Sequence, residues 1–115
     1  MIIRLPFPSS ILAGHAKGNG QWAKIKATKE HREWARLATL EALGVSAPDF
    51  GEAGDIAITI RFIPPHNRGD RLNYPARIKP YADGIADALK VNDRRFVPHF
   101  EFMPVEKPGA VEVSL

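Results

Sequence analysis

The stretch NRGDRLNYPARIKPYADGIADALKVNDRRF, residues 67 to 96, sets four aspartates (Asp70, Asp83, Asp87 and Asp93) among seven lysines and arginines. Carboxylates in a field of cations have two uses. They can form ordinary surface ion pairs, or they can hold a divalent cation where a polyanion docks. Mg2+ takes a few hard carboxylates plus water rather than a cage made wholly of protein. Two or three aspartates converging from a loop and a helix end would meet that need. Such a cation holds a scissile phosphate and sharpens a water nucleophile, while a lysine counters charge developing on the phosphate oxygens. Asp70 falls in the loop directly after an alternating apolar run, where a scaffold presents functional groups. Lys79 and Asp83 stand at i and i+4 and share a helix face. Asp93 follows that helix and can fold back toward Asp70 across the sheet edge.

The cations nearby divide into two groups. Arg68, Arg71, Arg94 and Arg95 bracket Asp70 and Asp93 and can neutralise phosphates of a polyanion beside a metal. Lys17, Lys24, Lys26 and Lys29 flank Trp22, offering positive charge with a stacking surface, as single-strand binders do. The same residues also fit a solvated basic loop around a half-buried tryptophan. Asn73 reads equally as a helix cap or a substrate contact, and Asp87 as a solvated helix residue. His15, His31, His66 and His99 have no metal-ligand spacing. His31 is expected on a helix surface, and His15 and His66 are candidate phosphate contacts. Gly84, inside a helical stretch, costs about 1 kcal/mol against alanine, so its presence implies close approach of a subunit, DNA or a packing partner.

The elements that must position these groups follow from periodicity. MIIRLPF reads as a first strand ended by Pro6 and Pro8, and residues 9 to 27, without any period, as a basic mobile loop. A helix is expected from an N-cap at Thr28, with Trp34, Leu37, Ala38, Leu40 and Leu43 as its apolar face and Gly44 closing it. DIAITIRFI alternates Ile56, Ile58, Ile60 and Phe62 on one face and stops at Pro64-Pro65. Ile78, Ala82, Ile85 and Leu89 form a helical stripe. Pro80 places that helix from about Pro80 to Leu89 after a turn near 74 to 78, or kinks it. FVPHFEFMPV and AVEVSL read as two last strands joined by the EKPG turn. The expected fold is α+β: one domain over residues 1–115, a small mixed sheet with two main helices, in the order β-α-β-α-β-β.

Composition narrows the classes. At 115 residues, with 44% hydrophobic and 25% charged residues, the chain suits one globular core. No apolar run approaches the roughly 20 residues of a membrane span, and the N-terminus is too short in apolar residues for a secretory signal. The absence of cysteine excludes disulfides, thiolate metal sites and cysteine nucleophiles, and suits a cytoplasmic location. A net charge of +3 leans toward polyanionic partners.

The order of these residues resembles the RusA-type Holliday-junction resolvases, small phage and bacterial endonucleases. Their core motif runs roughly R-D-x-D-N, then a lysine, then D-[AG]-[IL], then a final aspartate after a short gap. Here the matching residues are RGDRLN with Asp70 and Asn73, then Lys79, DGIADAL from Asp83, and VNDRRF with Asp93. LPFPSS before a basic segment and helix is similar to the family's opening, so the resemblance spans nearly the whole chain. It implies Asp70 and Asp93 as metal ligands, Lys79 as the phosphate-side catalytic lysine, and Asp83 as the motif's helix aspartate. It further implies Mg2+, with Mn2+ as a substitute, and a homodimer that resolves four-way junctions in DNA recombination and repair. One departure stands out. Leu72 occupies the place of a motif carboxylate, and the Asn73–Lys79 spacing is long. Either Asp83 replaces the missing ligand, or the metal is held by fewer charges, or turnover is lost and a noncatalytic branched-DNA-binding protein remains. A small module whose basic patches bind an acidic protein is a third reading.

Overall fold

A computed structural model describes residues 1–14, 18–44 and 48–115. Strand β1 spans Ile2–Leu5, helix α1 Asn19–Leu43, β2 Ile56–Ile63, α2 Lys79–Leu89, β3 Phe96–Phe102 and β4 Ala110–Ser114. Short 3-10 turns lie at Arg71–Asn73, Pro75–Arg77 and Asp93–Arg95. The four strands form one mixed sheet in the order β1-β4-β2-β3, with β2 and β3 parallel and β4 antiparallel to both β1 and β2. The fold is thus a single α+β domain with the expected element order.

The β2 alternation works as period two requires. Ile58, Ile60 and Phe62 turn to the helix-covered face and join Ile3, Leu5, Val111 and Val113 in the core. The opposite parity presents Arg61, which pairs with Glu101 at 3.2 Å on the neighbouring strand. Tyr74, Ile78, Tyr81 and Ile85 cover the buried face from the second helical segment. Tyr81 fixes that segment to the chain's opening, since its hydroxyl donates to the Pro6 carbonyl at 2.7 Å. Pro80 sits in the first turn of α2, where its missing N–H costs no intrahelical bond, so the helix is not kinked there.

Two expectations are corrected. First, α1 begins at Asn19, so the predicted loop over 9 to 27 is helical from its second half. Thr28 is no cap; its hydroxyl donates to the Lys24 carbonyl within the helix at 2.7 Å. Second, α1 buries His31, Ala35 and Thr39, while Trp34, Leu37 and Leu40 face outward. Ala35 lets α1 lie close on α2 at Gly84, while the buried His31 ring stands 5.2 Å from the Tyr81 ring of α2. The last two strands, successive in the chain as expected, do not pair with each other, because β2 lies between β4 and β3.

The two helices approach tightly at Gly84. A Cβ there would stand 2.1 Å from the Arg32 carbonyl oxygen and 2.8 Å from the Ala35 Cβ. The close neighbour implied by a mid-helix glycine is therefore α1 of the same chain.

Candidate functional site

α2 opens with Lys79, and one turn later Asp83 falls on the same face. The Lys79 Nζ lies 2.9 Å from Asp83 Oδ1 and also donates to Asp93 Oδ2. Asp93 is brought there by a local device: Asn92 Oδ1 accepts from the Arg94 N–H at 2.9 Å and starts the Asp93–Arg95 turn just beyond the helix. Two carboxylates thus share one ammonium. Hydrogen bonds from Lys79, and then the adjoining Asp83 carboxyl, hold the Asp93 carboxyl below the usual range. Bonds to Asp83 and Asp93 raise the Lys79 ammonium above its ordinary value. Near neutral pH the trio therefore carries an ionised Asp93 and a charged lysine, which excludes Lys79 as a proton acceptor there.

The trio sits between two clefts. Lys79 and Asp93 line one of about 260 Å³, floored by Ile58, Ile60, Ile78 and Phe100. Asp83 and Asp93 line the other, of about 250 Å³, with Arg32, Asp87 and Asn92. Arg32 was not anticipated from sequence. Its guanidinium grips Asp87 with Nε to Oδ2 at 2.7 Å and Nη2 to Oδ1 at 2.9 Å. Asp87 is consequently an ion-pair partner across the two helices, held below its usual range by Arg32, rather than a merely solvated residue. Periodicity carries no signal for a pair formed between two separate helices.

Asp70 stands differently. Its Oδ1 accepts from the Leu72 N–H at 2.9 Å and caps the Arg71–Asn73 turn. Leu72 itself is 87% exposed, so it does not point into the core. Among the described residues no three His, Asp or Glu side chains gather into a metal-holding group; Lys79 links Asp83 with Asp93, and no ion pair of Lys79 reaches Asp70. Asn73 closes the same turn, with its backbone N–H on the Asp70 carbonyl, and caps no helix.

The cations sort unevenly. Arg68, Arg71 and Arg94 stand exposed. Arg95 does not serve as a free surface cation; its guanidinium donates to the carbonyls of Phe50, Gly51, Ala53 and Gly54 and clasps that loop. Lys24 donates to the Gly14 carbonyl at 2.5 Å, and Lys26 is 3.9 Å from Glu30. Trp22 is 72% exposed. Lys17 and His15 lie outside the described residues. His31, expected on the surface, is buried; its Nε2 accepts from the Ser9 N–H at 3.1 Å and its Nδ1 faces the Ala27 carbonyl at 2.7 Å. Burial pushes its pKa down.

No known protein-family profile matches the chain. It is similar to an uncharacterized protein of Xylella fastidiosa (strain Temecula1 / ATCC 700964), 40% identical over 99 residues. The aligned stretch takes up 84% of this chain and 63% of that protein, so the chain spans less than two thirds of its relative's length.

Proposed function

We propose that the protein is a Mg2+-dependent endodeoxyribonuclease acting on branched DNA, with four-way junctions as the principal substrate, in recombination or repair. The observation that carries this reading is the Asp83–Lys79–Asp93 constellation at the mouth of an open cleft. Its order along the chain is that of the RusA-type motif.

The residues present suit the ion. Two carboxylates close enough to share one ammonium, and only partly buried, match the way Mg2+ is held by one or two carboxylates with water and phosphate oxygens completing its shell. Asp83 and Asp93 would hold it, and Mn2+ could replace it. When bound, the ion supplies charge stabilisation to a phosphodiester and lowers the pKa of water beside it. Lys79, released from the carboxylates, is placed to face phosphate oxygens and offset charge building on them. Arg68, Arg71 and Arg94 anchor neighbouring phosphates, and Trp22 with Lys24 and Lys26 offers a surface for an unpaired strand. Two cuts related by symmetry call for two such sites, which a C2 homodimer provides. No helix among the described residues is long and apolar enough to cross a membrane, and we place the protein in the cytoplasm with its DNA.

A second reading, a noncatalytic protein that binds branched DNA, is favoured by one specific observation: Asp70 is engaged as a turn cap, in no metal-holding group with Asp83 and Asp93, and Leu72 adds no carboxylate. A labelled synthetic four-way junction incubated with the protein and either Mg2+ or EDTA separates the two. Symmetric Mg2+-dependent cuts support the nuclease. Retardation of the junction without any cut supports the binder.

A further inference from the structure

Along α2 the charges come in sequence. Lys79, Asp83 and Asp87 occupy successive turns of one face, Asp93 joins Asp83 from beyond the helix, and Arg32 from α1 enters beside Asp87. The carboxylate pair is therefore bracketed by a lysine on one side and an arginine on the other. Arg32 lines the same cleft as Asp83 and Asp93, and both aspartates, after Asp87, favour its charged form.

Three features set this arginine apart from an ordinary surface cation. Its Nε and Nη2 are both closed on Asp87, which fixes the plane of the guanidinium. Its Nη1 makes no hydrogen bond among the described residues, although the side chain is 51% exposed. Its own backbone carbonyl is the atom nearest to where a Gly84 Cβ would stand, so the residue is anchored at a tight contact between α1 and α2. As a tie between helices, an exposed ion pair of this kind contributes little. With its Nε/Nη2 edge closed on Asp87, the guanidinium holds its free Nη1 N–H pair in a fixed direction, which suits a non-bridging phosphate oxygen beside the carboxylates; a lysine ammonium is not held so.

We propose that Arg32 is a phosphate contact of this site, binding a non-bridging oxygen of the DNA phosphodiester docked at Asp83 and Asp93 from the side opposite Lys79. The inference rests on reading the site as a branched-DNA centre.

The test is equilibrium binding of a synthetic four-way junction, with Ca2+ in place of Mg2+ to keep the DNA intact, over a range of salt concentrations. Arg32→Gln should weaken binding by about tenfold near 0.1 M salt and flatten the slope of log K against log salt by roughly 0.9, one phosphate contact. Should Arg32→Gln fail to fold, Arg32→Lys carries the test: it should keep the wild-type slope and lose affinity several-fold, because the charge remains while the Nη1 donors held in place through Asp87 do not. Wild-type slope and affinity in Arg32→Gln, or wild-type affinity in Arg32→Lys, would overturn the assignment of Arg32 alone. A wild-type protein that does not bind the junction would instead overturn the underlying reading of the site.

Discussion

Gly84→Ala adds one methyl group where α1 and α2 approach tightly, and two effects of opposite sign compete. Alanine is the better helix former, by about 1 kcal/mol in a helix interior. Against that, the new Cβ would meet the Arg32 carbonyl oxygen at 2.1 Å and the Ala35 Cβ at 2.8 Å, both well inside ordinary contact. Neither obstacle can rotate away, since one is backbone and the other is attached directly to it. The helices must part, and overpacking of a tight interface costs about 1–3 kcal/mol. With a backbone atom in the way the upper end applies, leaving a net loss of about 2 kcal/mol. At roughly 4 °C per kcal/mol for a domain of this size, the melting temperature should fall by about 8 °C. Circular dichroism melts of the two proteins measure it. A melting temperature equal to or above wild type would show that propensity wins, and that the helices are not packed as closely as described.

Three further outcomes are expected. Leu72→Asp should leave the melting temperature within about 2 °C of wild type, because an 87% exposed side chain loses no burial; a fall of several degrees would contradict that exposure. Arg95→Ala should cost about 1–2 kcal/mol in a urea unfolding curve by releasing the 50–54 loop. It should leave the salt dependence of junction binding unchanged, and a flatter slope would return Arg95 to the DNA contacts. His31 has a native pKa lowered from 6.5 by burial, so between that value and its native pKa the unfolded chain binds more protons. Its stabilising contribution is full above pH 6.5 and is lost as pH falls through the native value, by at most about 1.4 kcal/mol per pH unit. His31→Gln should therefore flatten the fall in melting temperature between pH 7 and 5.5, and an unaltered pH dependence would refute it.

Legibility in the sequence followed the range of the interactions. β2 could be read because one face is buried and the other is not, so period two is written into Ile56, Ile58, Ile60 and Phe62. The i,i+4 relation of Lys79 and Asp83 is equally local, and it survives in the structure as an ion pair. Gly84 announced a close neighbour by its cost alone, although not which one. The face of α1 was misjudged for a physical reason. Helix packing at short distance selects a small residue such as Ala35, while periodicity gives weight to large apolar ones such as Trp34, Leu37 and Leu40. Residues 20–28 of α1 include none that is fully buried, so no apolar stripe marks these turns. Arg32 with Asp87, and Arg95 with the 50–54 carbonyls, join residues far apart in the chain, which spacing arguments do not reach. Asp93 was expected to fold back toward Asp70 across the sheet edge; the short-range cap of Asp70 Oδ1 on the Leu72 N–H is a local bond that this reasoning did not include.

The central claim is that Asp83 and Asp93, linked through Lys79, form the hard-cation site. Mn2+ titration followed by paramagnetic broadening in proton–nitrogen NMR spectra addresses it most directly. The amide signals of Asp83, Asp93 and their immediate neighbours should broaden first in the wild-type protein, and the effect should be lost in Asp93→Asn. Broadening centred elsewhere, or unchanged in Asp93→Asn, would contradict the claim.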